Sequence, residues 1–91
     1  MKNYMVTQLF ADGVERKRTL VDVLTEICND DPRTCVTIVS YKKGKIWSGM
    51  AKNAIADLTA DFVKNCVQNI ITAELFPGAN INVYDVAIYI R

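Results

Sequence analysis

Ile81–Ile90, INVYDVAIYI, is the stretch whose reading decides the fold. It is rich in Ile, Val and Tyr and holds no Gly or Pro. Such β-branched and aromatic side chains suit a pleated surface. Side chains alternate across a strand. Tyr84, Val86, Ile88 and Ile90 therefore share one face, and Ile81, Val83, Asp85, Ala87 and Tyr89 share the other. Both faces are largely apolar, whereas a half-solvated strand alternates apolar with polar. The pattern predicts a strand buried, or nearly so, on both faces, for which the rest of the chain must supply the cover.

The rest of the chain is short. Ninety-one residues make one domain with one modest core. Apolar residues are 51% and charged residues 23%, a composition that folds rather than stays disordered. The formal net charge of +1 argues against a generally nucleic-acid-binding or membrane-coating surface. No apolar run reaches the ~18 residues of a membrane span. The opening MKNYMVTQLF is too short and polar for a signal peptide, so the expected location is the cytoplasm.

The residue types also narrow the chemistry. There is no histidine, which removes the commonest general base and metal ligand. The three cysteines, Cys28, Cys35 and Cys66, cannot all pair within the chain and form no C-x-x-C. They read as small free thiols. No phosphate loop, dinucleotide fingerprint, catalytic triad or paired-carboxylate pattern is present. The expectation is a protein that is not an enzyme, with no catalytic residues, no metal and no cofactor.

Working back from the last strand, Ala51–Leu75 has two readings. Ile55, Leu58, Phe62, Cys66 and Ile70 follow helical spacing, which allows one long helix. The other reading is a short helix over Leu58–Lys64 and a strand over Cys66–Leu75, with Pro77-Gly78-Ala79-Asn80 as the turn into Ile81.

Cys35–Met50 predicts a hairpin. CVTIVSY meets Lys42-Lys43-Gly44 and returns as KIWSGM, with Gly44 in the left-handed conformation that closes such a turn. The register this implies sets Val39 opposite Trp47 and Val36 opposite Met50. One face then carries Val39, Tyr41 and Trp47. The other carries Val36, Ile38, Ile46 and Met50, to be covered by Leu20, Leu24, Ile27 and Phe62.

Upstream, Thr19 predicts a helix N-cap, with Asp22 at the capping-box position. Leu20, Val21, Leu24, Ile27 and Cys28 recur at helical spacing, and Asn29-Asp30-Asp31-Pro32 ends the helix. Tyr4–Phe10 and Val14–Arg18 predict a hairpin around Asp12-Gly13. Arg16, Lys17 and Arg18 would be an exposed basic cluster guarding a sheet edge.

The run TLVDVLTEICNDD…VTIVSYKKGKIWSGMAKNAIADLTADFVKNCVQNIITAE…VAIYI resembles a group of short proteins of phages and integrated elements of Firmicutes. Thr19, Leu20, Leu24, Gly44, Gly49, Asp57, Leu58, Phe62, Val67, Ile70, Ile88 and Ile90 carry the match, over most of residues 19–90. These are apolar and turn positions, so they specify a fold and no chemistry. The chain departs from the group in a longer N-terminal segment and in Pro77–Asn80. The resemblance implies the short helix followed by a strand, a mobile-element origin and a bacterial host cytoplasm. It implies no activity.

Together these readings predict an α+β domain of order ββαββαββ, its sheet mostly antiparallel with two short helices on one face. The expected function is that of a phage or mobile-element accessory protein acting by protein–protein binding, as a modulator or inhibitor of a host defence system. The opposite sheet face would bind a protein partner or a second copy through Val39, Tyr41, Trp47, Val83, Ala87 and Tyr89, the aromatic residues acting as anchors. A nucleic-acid binder using Arg16, Lys17, Arg18, Lys42, Lys43 and Lys45 is the alternative, because a basic hairpin tip beside aromatic residues suits single strands.

Overall fold

The computed structural model describes residues 3–58, 62, 64–74 and 84–91. Its element order is ββαββαββ: β1 (Thr7–Leu9), β2 (Glu15–Lys17), α1 (Leu20–Asp30), β3 (Cys35–Ser40), β4 (Gly44–Met50), α2 (Ala51–Asp57), β5 (Val67–Glu74) and β6 (Tyr84–Ile90). The main sheet has strand order β4-β3-β6-β5 and is mostly antiparallel, as an α+β domain of this order requires. Its central pair, β3 and β6, runs parallel. Strand β6 is hydrogen-bonded on both sides, but the burial expected of both its faces is complete on one only: Val86, Ile88 and Ile90 are buried, Ala87 and Tyr89 half-buried. Val83 and the Pro77–Asn80 turn lie outside the described residues.

Local chemistry explains the elements. Thr19 is extended and its Oγ1 accepts the Asp22 N–H at 3.3 Å, satisfying one of the orphan donors of the α1 N-terminus. Asp31 ends α1 in extended backbone, donating its N–H to Ile27 O and accepting the Arg33 N–H on its side chain. The three-residue turn after Ser40 is held by Ser40 Oγ, which accepts the N–H groups of Lys42 and Lys43 at 3.1 Å. Gly44 has φ +81°, the left-handed conformation expected of it. Helix α2 has no side-chain cap. Instead Thr34 O and Pro32 O accept the N–H groups of Ala51 and Lys52.

Leu20, Val23, Leu24 and Ile27 of α1 are fully buried against Val36, Ile38, Val86, Ile88 and Ile90. Full burial of each such side chain stabilises the fold by about 1.5–3 kcal/mol. The parallel register sets Val36 beside Val86 and Ile38 beside Ile88, so one sheet face forms the floor of the core. Ala51 and Ala54 of α2 close the same core, small enough to let that helix approach. Val23 is fully buried, while Val21 and Cys28, which the spacing places in the helix core stripe, are half-buried.

Several expectations are corrected. The Ala51–Leu75 segment is a helix and a strand: α2 over Ala51–Asp57 lies ahead of the expected Leu58–Lys64 helix, within which Phe62 is helical, and β5 follows. Most of that expected range lies outside the described residues. In the β3–β4 hairpin, Ile38 pairs with Trp47, Val36 with Gly49 and Val39 with Lys45. The expected register fails first at the turn, which is Tyr41–Lys43 with Ser40 paired to Gly44, two residues off; the ladder then shifts between Ile38 and Val39, where β4 fits in the extra residue Ile46, and a net offset of one residue remains. Met50 consequently pairs with Cys35, away from the core face, and is 37% exposed. Strand β5 carries a second irregularity, between Val67 and Asn69. Both outer strands of the sheet are therefore bulged, a common protection of edges against further pairing.

The three cysteines are free thiols, Cys66 exposed and the other two half-buried. No described helix is long and apolar enough to cross a membrane.

Candidate binding surfaces

The helices cover one side of the main sheet, and the side chains of the other alternate out of it. From β3 this open face takes Cys35, Thr37 and Val39. In β6 the parallel register sets Ala87 beside Thr37 and Tyr89 beside Val39. Strand β5 adds Asn69 opposite Tyr89 and Ile71 opposite Ala87. Ile71 is 52% exposed. On the far side Met50 joins through its pairing with Cys35, and Thr37 Oγ1 lies 3.2 Å from Ser48 Oγ.

The strongest feature of this face is aromatic. The Tyr41 N–H donates to Ile90 O at 2.9 Å, which extends the β3–β6 ladder past Ser40. That bond holds Tyr41 beside Tyr89, and the two rings stack with centroids 5.5 Å apart and planes 22° from parallel. Tyr41 is 61% exposed, so the stack stands on the surface. Each ring already restrains the other, which lowers the ordering cost of burying both at an interface.

Four of the six residues expected on this face are there together: Val39, Tyr41, Ala87 and Tyr89. Val83 lies outside the described residues. Trp47 is a correction, because pairing with Ile38 puts it on the helix-covered side, half-buried against the core. Sequence reasoning missed Ile71 and Met50. The alternation of Asn69, Ile71 and Ala73 within β5 is a signal that could have found Ile71, whereas Met50 depends on the bulge.

The N-terminal hairpin does not cover the open face. Leu9, Phe10 and Val14 are exposed, and Phe10 lies under the Arg16 guanidinium at 4.9 Å. The hairpin joins the body through Tyr4 and Val6, which pack on the core, and through the segment after β2. There Val67 N–H donates to Arg18 O and Leu20 N–H to Asn65 O, seating Thr19 opposite Cys66.

The six expected nucleic-acid residues are not one cluster of free cations. Arg16 is 2.6 Å from Asp12, whose carboxyl it holds below the usual carboxylate range together with the Val14 N–H. Arg18 is not exposed as expected: its side chain is 11% exposed and is 2.7 Å from both Asp22 and Glu26, with Met5 O at 3.1 Å. Burial works against its charge, but the two carboxylates outweigh burial and raise its pKa. Lys17 Nζ donates to Gln68 Oε1. Lys42, Lys43 and Lys45 are exposed at the β3–β4 tip, Lys43 Nζ lying 5.7 Å from the Phe62 ring centre.

A second surface lies where β5 begins and β6 ends. Lys17, Asn65, Cys66, Gln68 and Arg91 line a cleft of about 450 Å³. Only Lys17 among them was expected at a binding surface, and Cys66 was read only as a free thiol. Nothing local to the sequence links Lys17 to Arg91; strand order brings them together. Among the described residues no group of His, Cys, Asp and Glu has the arrangement of a metal site. Comparisons with protein-family models, with curated proteins and with solved structures find no match to this chain.

Proposed function

We propose that the protein is a binding module that acts through the open face of its sheet, without catalysis, on a protein partner or a second copy of itself. The observation that carries this reading is the exposed Tyr41–Tyr89 stack on a sheet face that no described element covers, continued by Val39, Ala87 and Ile71. Exposed Tyr clusters are typical anchors of protein interfaces. An accessory role in a phage or mobile element, modulating a host defence system, belongs to the same proposal and rests on the resemblance of the chain to that group.

Tyr41→Glu and Tyr89→Glu test it. Both positions lie outside the core, so each variant keeps its cooperative unfolding transition. Sedimentation at micromolar concentration and retention of host proteins on immobilised wild-type chain give the two readouts. The reading expects self-association or a retained protein that both variants lose. A wild-type monomer that retains nothing, or retains the same proteins as both variants, overturns it.

A further inference from the structure

We propose that the cleft lined by Lys17, Asn65, Cys66, Gln68 and Arg91 is a binding site for a phosphate-bearing ligand. Its chemistry is one-sided. Lysine and arginine offer N–H donors and no acceptor, and the side-chain amides of Asn65 and Gln68 each add N–H donors beside one carbonyl acceptor. No carboxylate side chain lines the cleft among the described residues. Lys17 already donates to Gln68 Oε1, and Gln68 Nε2 donates to Cys66 O at 3.4 Å. This chain of bonds orients both side chains and leaves the remaining Lys17 donors for a ligand. An anion with several acceptor oxygens matches these donors better than a cation does, and the larger, apolar share of the cleft surface suits the organic part of an ester.

The distribution of charge points the same way. Arg16, Arg18 and Arg33 each have a carboxylate partner within the chain. Lys17 and Arg91 in the cleft have none among the described residues, nor do Lys42, Lys43 and Lys64 around it. The Tyr41–Ile90 backbone bond brings the lysine turn to the end of β6, and the Asn65 N–H bond to Phe62 O links the cleft to the ring under Lys43. Lys17, Lys42, Lys43, Lys64 and Arg91 thus gather at one end of the sheet, while Lys52 stands apart at the start of α2. The cleft volume falls within the range of small-ligand sites, so the fitting ligand is a phosphate ester of about nucleotide size.

Titration with inorganic phosphate, with a nucleoside monophosphate and with a short oligothymidylate tests this, read by the amide chemical shifts of Cys66, Gln68 and Arg91. Saturable shifts at these positions with at least one probe are expected. Binding weakens at least about tenfold in Lys17→Gln/Arg91→Gln, the loss of two charge-assisted contacts. Tighter binding of the monophosphate than of the oligothymidylate per phosphate identifies a free ester as the source; the reverse order identifies a nucleic-acid backbone, and either supports the site. The exposed Cys66 thiol gives a second measurement on the unaltered chain, since a bound probe slows its alkylation. Linear shifts that never saturate with any probe, affinity unchanged in the double variant, or alkylation unaffected by saturating probe each overturn the proposal. None of these outcomes bears on the open sheet face.

Discussion

Ile38 and Trp47 face each other across the β3–β4 ladder, on the side of the sheet that the helices cover. The indole folds back along its own strand over Gly49. A Cβ at Gly49 would stand 2.9 Å from Trp47 Cζ2 and 3.0 Å from Cη2. Gly49→Ala should therefore force the indole aside and cost about 1–2 kcal/mol, the range of modest overpacking. Its tryptophan emission should shift, and Trp47→Phe in the same background should recover part of the stability. An unchanged midpoint and an unchanged emission would mean the indole does not rest on Gly49.

Arg16 and Arg18 sit two residues apart and both meet carboxylates, yet their replacements should differ. Arg16 and Asp12 are each about half-exposed, 49% and 52%. Arg16→Gln should change stability by less than about 0.5 kcal/mol, as exposed pairs do. Arg18 is enclosed by Asp22, Glu26 and Met5 O. Arg18→Gln should cost about 1–3 kcal/mol, less than a fully buried pair because its acidic partners still reach water. Denaturant midpoints at low and high salt measure both. Equal losses for the two variants would contradict the structure.

The Tyr4 hydroxyl donates to Asp30 Oδ2 at 3.0 Å and ties the N-terminal segment to the end of α1. Burial, then the hydrogen bond and charge of Asp30, push its pKa above the usual tyrosine value. A raised folded pKa favours the protonated, folded state. Its stabilisation is complete below about pH 10 and is lost as pH rises beyond, where the unfolded chain ionises first. Tyr4→Phe should cost about 1 kcal/mol at pH 7. The gap between variant and parent should then narrow from pH 10 upward. A gap that stays constant to pH 11 would show that the hydroxyl is not linked to folding.

What could be read from the chain follows the range of the forces involved. Thr19, Gly44 and the Asp30–Pro32 stop act on their own neighbours, and each works where its residue type predicts. The β6 pattern signalled a strand, because β-branched and aromatic content is a property of the segment alone, but its two-sided apolarity overstated the cover: Ala87 and Tyr89 are only half-buried. The residues of Val67–Glu74 allowed a helix or a strand, and only the resemblance implied the strand that forms there. The register of β3–β4 was not legible, since one accommodated residue, Ile46, moves Trp47 to the covered face and Met50 to the open one. Nor was the parallel pairing of β3 with β6, or the meeting of Lys17 with Arg91, written in any local pattern. The positions of Val39, Tyr41, Ala87 and Tyr89 were predictable because they depend only on alternation within β3 and β6.

The central place of β6 sets the order in which the chain can become a protein. Strands β3 and β4 leave the ribosome early and can zip together at once, but the inner side of β3 then has no neighbour. Its partner comes last of all the described elements. Until Tyr84–Ile90 is made, the nascent chain carries the β3–β4 hairpin, a lone β5 without a partner, an open ladder of amides along β3 and a helix with only part of its floor. Such intermediates are prone to wrong pairing. A message cut short before this strand would yield the two flanks of a sheet and not a smaller version of it.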